Sequence, residues 1–168
     1  EIQQKVINAV QAAVMAIGLT DGAVHAEVRV NEGGVWVLEV APRSIGGLCA
    51  GSLDLGGQAL ESILMASALG EDVCPSAQKG ASGVMMMPIS DPGELRSVCG
   101  VAAAQKVPGI VDVIVTIAPG EHVVPLPEGG RYLGFIFAKA PTPTAVQDAL
   151  IGAFALLDIS IVRYAREL

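Results

Sequence analysis

Residues 25–43 read HAEVRVNEGGVWVLEVAPR, and this stretch decides how the first half of the chain folds. Two runs of alternating apolar and polar residues, His25 to Val30 and Val35 to Val40, flank Asn31-Glu32-Gly33-Gly34. Glycine takes the positive φ that hairpin loops demand, so the pattern predicts an antiparallel hairpin. A three-residue loop, Glu32 to Gly34, sets Glu27 opposite Glu39, with Cβ atoms roughly 4.5–5.5 Å apart. Alternation then places Glu39, Ala41 and Arg43 on one face and Trp36, Leu38 and Val40 on the other. His25, Glu27 and Arg29 share a face by the same rule. Val35, Val37 and Ala41 lie with Glu39, so its carboxylate is expected to be half-buried.

Opposed carboxylates destabilise a ladder unless something neutralises them. A divalent cation does so, and magnesium suits a few carboxylate oxygens completed by water and phosphate. Arg43, further along the same face, can hold a phosphate or carboxylate in bidentate fashion. The alternative is an ordinary solvated hairpin face on which Glu27, Arg29 and Glu39 meet only water. Other chemistries find less support. A glycosidase carboxylate pair generally works among aromatic platforms, and the chain has six aromatic residues. Neither His25 nor His122 has an evident Ser or Cys partner for nucleophilic catalysis.

Outward from the hairpin, Ile2, Val6, Ile7, Val10, Val14 and Ile17 recur at helical spacing and Gly18 follows as a stop, predicting an amphipathic helix over 2–17. A Gly-rich loop from Ile45 to Gly57 leads to a second helix carrying Leu60, Ile63, Leu64 and Leu69 and ending at Gly70. Residues 71–81 read as a connector. Gly83–Ile89, Val111–Ile117 and Leu133–Ala138 read as strands, with a short helix before Pro108. Thr142 as N-cap and Pro143 at the first helical position start a helix to Leu157, before a final strand at Asp158–Val162. Met85, Met86 and Met87 alternate across a strand and are read as packing residues, not as a soft metal site.

Composition narrows the class. Charged residues are 16% of the 168 and mean hydropathy is +0.56, an apolar balance for a chain of this length. The uncharged run Val6 to Thr20 is too short for a bilayer span, and no basic segment precedes an apolar one at the start. Cys49, Cys74 and Cys99 are odd in number and widely spaced, indicating neither a disulfide framework nor a zinc site, and a reducing cytoplasm is expected. A net charge of −7 with scattered Lys and Arg argues against nucleic-acid binding.

The twelve-residue spacing of Glu27 and Glu39, with Arg43 four beyond, together with Leu38-Glu39-Val40-Ala41-Pro42-Arg43, resembles the end of the ATP-grasp domain. The likeness runs on through Ser44-Ile45-Gly46-Gly47 and the helix after Leu53-Asp54-Leu55, as in biotin carboxylase-like and L-amino acid ligase members. Arg131-Tyr132-Leu133-Gly134-Phe135 and Pro141-Thr142-Pro143 are similar to the small C-terminal domain of amino acid ligases and glycinamide ribonucleotide synthetase. The resemblance implies an α+β fold: residues 1–75 end an ATP-grasp domain as helix, antiparallel hairpin and helix, and 76–168 form a small domain with a mainly antiparallel sheet.

It further implies ATP and magnesium or manganese as cofactors, with Glu27 and Glu39 as metal ligands and Arg43 on the transferred phosphate. Gly46 and Gly47 would approach the phosphate through backbone N–H groups, or form a simple turn. The expected activity is ligation of a small carboxylate to an amine through an acylphosphate. Where the family usually has Asn, two residues after the second Glu, this chain has Ala41, which leaves the number of metals open. An N-terminal part carrying the lid and ATP-clasping lysines is not among these residues, so the chain alone is expected to be inactive. Alternatives are a biotin carboxylase- or carbamoyl phosphate synthase-like enzyme, or a non-catalytic dimerisation or scaffolding module, with a homodimer as its partner state.

Overall fold

A computed structural model describes residues 1–46, 48–53, 55–73 and 80–163. The chain separates into two compact units, Glu1–Ala50 with Leu55–Ser76, and Gly51–Asp54 with Ala77–Leu168. Helices and strands are both present and, among the described residues, every strand pairing is antiparallel, so the fold is mixed α and β as expected.

The first unit is helix α1 (Ile2–Ala16), strands β1 (His25–Asn31) and β2 (Gly34–Ala41), and helix α2 (Leu60–Ala68). Val6, Ala9, Val10, Ala13 and Val14 form the half-buried stripe of α1, and the helix packs on β2. Ile2, Ile7 and Ile17, expected in that stripe, are exposed. Gly18 ends the helix at φ 77°, and the N–H of Leu19 closes back on the Val14 carbonyl at 3.2 Å. Among the described residues this unit contributes no fully buried side chain. A two-stranded hairpin under one helix buries too little apolar surface to be robust alone.

The second unit holds the core. It comprises β3 (Ala81–Met87), β4 (Gly93–Cys99), α3 (Val101–Ala104), β5 (Ile110–Val115), β6 (His122–Val123), β7 (Gly134–Ala140), α4 (Pro143–Phe154) and β8 (Asp158–Val162). Two three-stranded sheets result, ordered β3-β7-β5 and β6-β4-β8. Val146, Ala149, Leu150 and Ala153 recur at helical spacing on the buried side of α4, which packs on β3 and β7. Thr142 caps it, its hydroxyl accepting the Ala145 N–H at 3.3 Å. Met87, Leu95, Val123, Leu133 and Ile136 are fully buried, each contributing roughly 1.5–3 kcal/mol. Met87 points into this core while Met86 is exposed, as alternation requires.

β4 and β6 were not expected. β4 hides because a bulge between Leu95 and Ser97 breaks its period of two. β7 is central, flanked by β3 and β5. A Cβ at Gly134 would overlap the Ile114 carbonyl oxygen and the Met87 methyl, so only glycine fits between the neighbours there.

Candidate functional site

The β1–β2 hairpin closes more tightly than expected. Asn31 pairs with Gly34, leaving a two-residue loop of Glu32 and Gly33 in place of the anticipated three. Asn31 explains the difference: its side-chain oxygen accepts the Gly33 N–H at 2.9 Å and the Trp36 indole N–H at 3.3 Å. The short polar side chain thereby holds the turn from within.

A two-residue loop with a regular ladder would bring Glu27 opposite Leu38 and Ala26 opposite Glu39. The structure instead pairs Val28 with Val37 and Glu27 with Glu39, leaving Leu38 as the extra residue of a bulge. The bulge reverses the parity of β2, and Glu39 returns to the face of Glu27. The expected rung therefore stands, reached by a different route.

Parity also corrects the faces. Trp36 pairs with Arg29 and is 55% exposed, on the same side as the carboxylates rather than opposite them. Glu39, expected to be half-buried among Val35, Val37 and Ala41, is exposed, whereas Val35 and Val37 are half-buried on the face that α1 covers. Glu27 is 57% exposed at its side chain and stands 3.7 Å from the His25 Nε2. That imidazole is 27% exposed and stands at the next position along the same face, where His25 pairs with Ala41.

Arg43 lies just past β2. Its backbone N–H donates to the Ala41 carbonyl at 2.8 Å, and its guanidinium donates to the Ser44 carbonyl at 3.1 Å. Gly46 is adjacent, since a Cβ built there would lie 3.7 Å from an Arg43 nitrogen. Gly47, like Cys74 and Asp54, lies outside the described residues.

Two carboxylates on one exposed rung, with an imidazole beside them, form a hard, oxygen-rich donor set that fits a magnesium- or manganese-like ion keeping several waters. Among the described residues no three His, Cys, Asp or Glu side chains already close on one point. An ion would complete the set by side-chain rotation, which exposure permits.

The second unit holds a separate, apolar cleft of about 540 Å³ lined by Leu95, Val98, Val101, Val115 and Ile117, with Glu121 at its rim. The Glu121 carboxylate accepts the Ala118 N–H at 2.7 Å and the Arg131 guanidinium at 2.8 Å. The backbone N–H first, and Arg131 second, hold it below the usual carboxylate range. Sequence reading missed this cleft because β4 forms one wall. No described helix is long and apolar enough to cross a membrane.

Comparison with known proteins follows this division. Residues 1–52 match the model of the ATP-grasp domain, and 85–162 match L-amino acid ligase C-terminal domain 2. The chain belongs to the ATP-grasp superfamily, with the closing part of the ATP-grasp domain followed by a C-terminal domain of the L-amino acid ligase kind.

More particularly, the chain is 28% identical over 171 residues to the uncharacterized protein y4rH of Sinorhizobium fredii (strain NBRC 101917 / NGR234), covering 96% of this chain and 34% of that one. Its fold matches the crystal structure of L-amino acid ligase from Bacillus licheniformis at TM-score 0.81 and 20% identity, over 96% of this chain and 41% of that one. It matches phosphoribosylglycinamide synthetase from Anaerococcus prevotii at TM-score 0.76 and 18% identity, over 96% and 42%. The chain thus spans about a third of the curated relative and about two fifths of either solved chain.

Proposed function

We propose that these residues belong to a longer, cytoplasmic ATP-dependent ligase that joins a small carboxylate to an amine through an acylphosphate. Residues 1–75 would close its ATP-grasp domain and 76–168 would form its C-terminal domain. The observation that carries the reading is the Glu27–Glu39 rung: like charges facing each other at exposed positions, aligned by a bulge, gain from a cation and are costly without one.

Glu27 and Glu39 hold magnesium or manganese, which offsets the negative charge of the ATP phosphates when bound. Arg43, at the end of β2 and oriented by the Ser44 carbonyl, presents its guanidinium to the transferred phosphate. The Gly46 and Gly47 backbone, without side chains, lets phosphate approach closely. The adenine-clasping half and the lid would come from an N-terminal part of the same polypeptide, so the 168 residues alone are inactive.

The test is Glu39→Gln in the full-length protein. Loss of ligation and of magnesium-dependent ADP binding, with an unchanged circular dichroism spectrum, is the expected result. Ligation at the wild-type rate would remove Glu39 from the site.

A further inference from the structure

We propose that the apolar cleft of the second unit binds a free α-amino acid with an apolar side chain, its ammonium group on Glu121 and its carboxylate on Arg131. Every residue involved belongs to the second unit, so the hairpin plays no part. The cleft, at about 540 Å³, lies within the roughly 300–1,000 Å³ of small-molecule pockets. Leu95 and Val98 line it from β4, Val101 from α3 and Val115 from β5. Regular elements therefore set its apolar wall before any ligand arrives.

The polar groups at the mouth decide what kind of molecule fits. The backbone N–H groups of Leu95, Thr116, Ala118, Gly120 and Glu121 are all spent on acceptors within the protein. The Thr116 hydroxyl donates to the carbonyls of Tyr132 and Leu133, 3.2 and 3.3 Å away, which leaves its lone pairs for the cleft. The Glu121 carboxylate can accept about four hydrogen bonds and takes one from Ala118 and one from Arg131. Those two donors also keep it ionised at neutral pH. Acceptors, one of them charged, call for an ammonium group. A bare cation would be repelled by Arg131, whose guanidinium lies 2.8 Å from that carboxylate and lines the adjoining hollow. Arg131 is 55% exposed and carries more N–H donors than this contact uses. Its charge cancels that of Glu121, so the rim suits a molecule bearing both signs side by side, as an α-amino acid does. The wall then selects an aliphatic or aromatic side chain.

Isothermal titration of the full-length protein with leucine, without nucleotide, tests this against isoamylamine, which lacks the carboxylate, and isocaproate, which lacks the ammonium group. Leucine should bind, and each analogue should bind roughly tenfold or more weakly. Glu121→Gln should weaken leucine roughly tenfold or more, and Arg131→Gln should weaken leucine but not isoamylamine. Val98→Trp, which fills the cleft, should abolish binding. Methyl NMR of the wild type reads the same site without a variant: leucine should shift the resonances of Val98, Val101 and Val115. Neither heat nor methyl shifts with leucine or phenylalanine overturns the proposal, as does leucine binding that survives Glu121→Gln. Isocaproate or isoamylamine binding as tightly as leucine overturns the paired recognition.

Discussion

Leu38 is the residue left over where Glu27 meets Glu39: the ladder passes from Val28–Val37 to Glu27–Glu39, and the skipped side chain is 61% exposed. The tight turn alone would send Glu39 to the helix-covered face. The bulge offsets the turn by one residue and returns it. Deleting Leu38 should therefore give a regular hairpin with the same rung, and manganese affinity should stay within about threefold of wild type. Deleting Val37 as well would misalign the rung and should abolish binding. Titration of both variants checks the pair.

Glu39→Gln should act on stability in opposite directions with and without ligand. Removing one of two like charges facing each other relieves roughly 0.2–1 kcal/mol, with the low end expected here because both are exposed. Without metal, the variant's melting temperature should equal or slightly exceed that of wild type. With magnesium and ADP in excess, only the wild type should rise, as ligand linkage requires. Differential scanning fluorimetry measures both.

Glu121 carries a pH dependence whose sign follows from its lowered pKa. A carboxylate ionised more readily in the folded than in the unfolded state stabilises the fold above its unfolded value, near 4.5, and that contribution is lost as pH falls through the lower folded value. Glu121→Gln should lower the urea midpoint at pH 7, and the difference from wild type should vanish in strong acid. The pair is partly exposed, so the effect is modest.

Gly134→Ala tests the close approach of three strands. Its methyl would meet the Ile114 carbonyl oxygen, which is backbone and cannot swing aside, as well as the flexible end of Met87. A loss of about 3 kcal/mol or more is expected, at the upper end of overpacking costs. Urea unfolding of the variant decides it, and an unchanged midpoint would contradict the packing described.

Asp112 guards an edge. β5 is an outer strand of its sheet with the apolar sequence IVDVIV, and the Asp112 carboxylate accepts the Val113 N–H at 2.7 Å. The pairing with β7 also skips Val111, so bulge and charge together blunt the strand. Asp112→Val should leave the monomer folded yet increase self-association, seen as a rise in light scattering with concentration.

Legibility in the sequence tracked how local the cause was. The stripe of Val6, Val10 and Val14, the cap Thr142 before Pro143, and the strand from Asp158 to Val162 each depend on residues within a turn or two, and each appears where it was expected. The helix α4 stops at Phe154, three residues early, because the next N–H groups, of Leu156 and Leu157, bond to Ala153 and Phe154 three residues back instead of continuing the i→i−4 ladder. β4 was illegible because its alternation breaks at Arg96, and only the pairing with β8 makes it a strand. Glu121 and Arg131 lie ten residues apart on irregular segments, with no spacing rule to join them.

The sequence by itself determined that a hairpin spans residues 25–41, and it set Glu27 opposite Glu39 by way of a three-residue loop that the structure replaces with a shorter one and a bulge. Alternation and glycine-permitted turns act between near neighbours and leave their period in the composition. Only the tertiary structure decided the length of the loop, the bulge at Leu38, the exposure of Glu39 and the nearness of His25. Those depend on which face α1 covers and on the Asn31 oxygen inside the turn, and contacts of that kind leave no period to read.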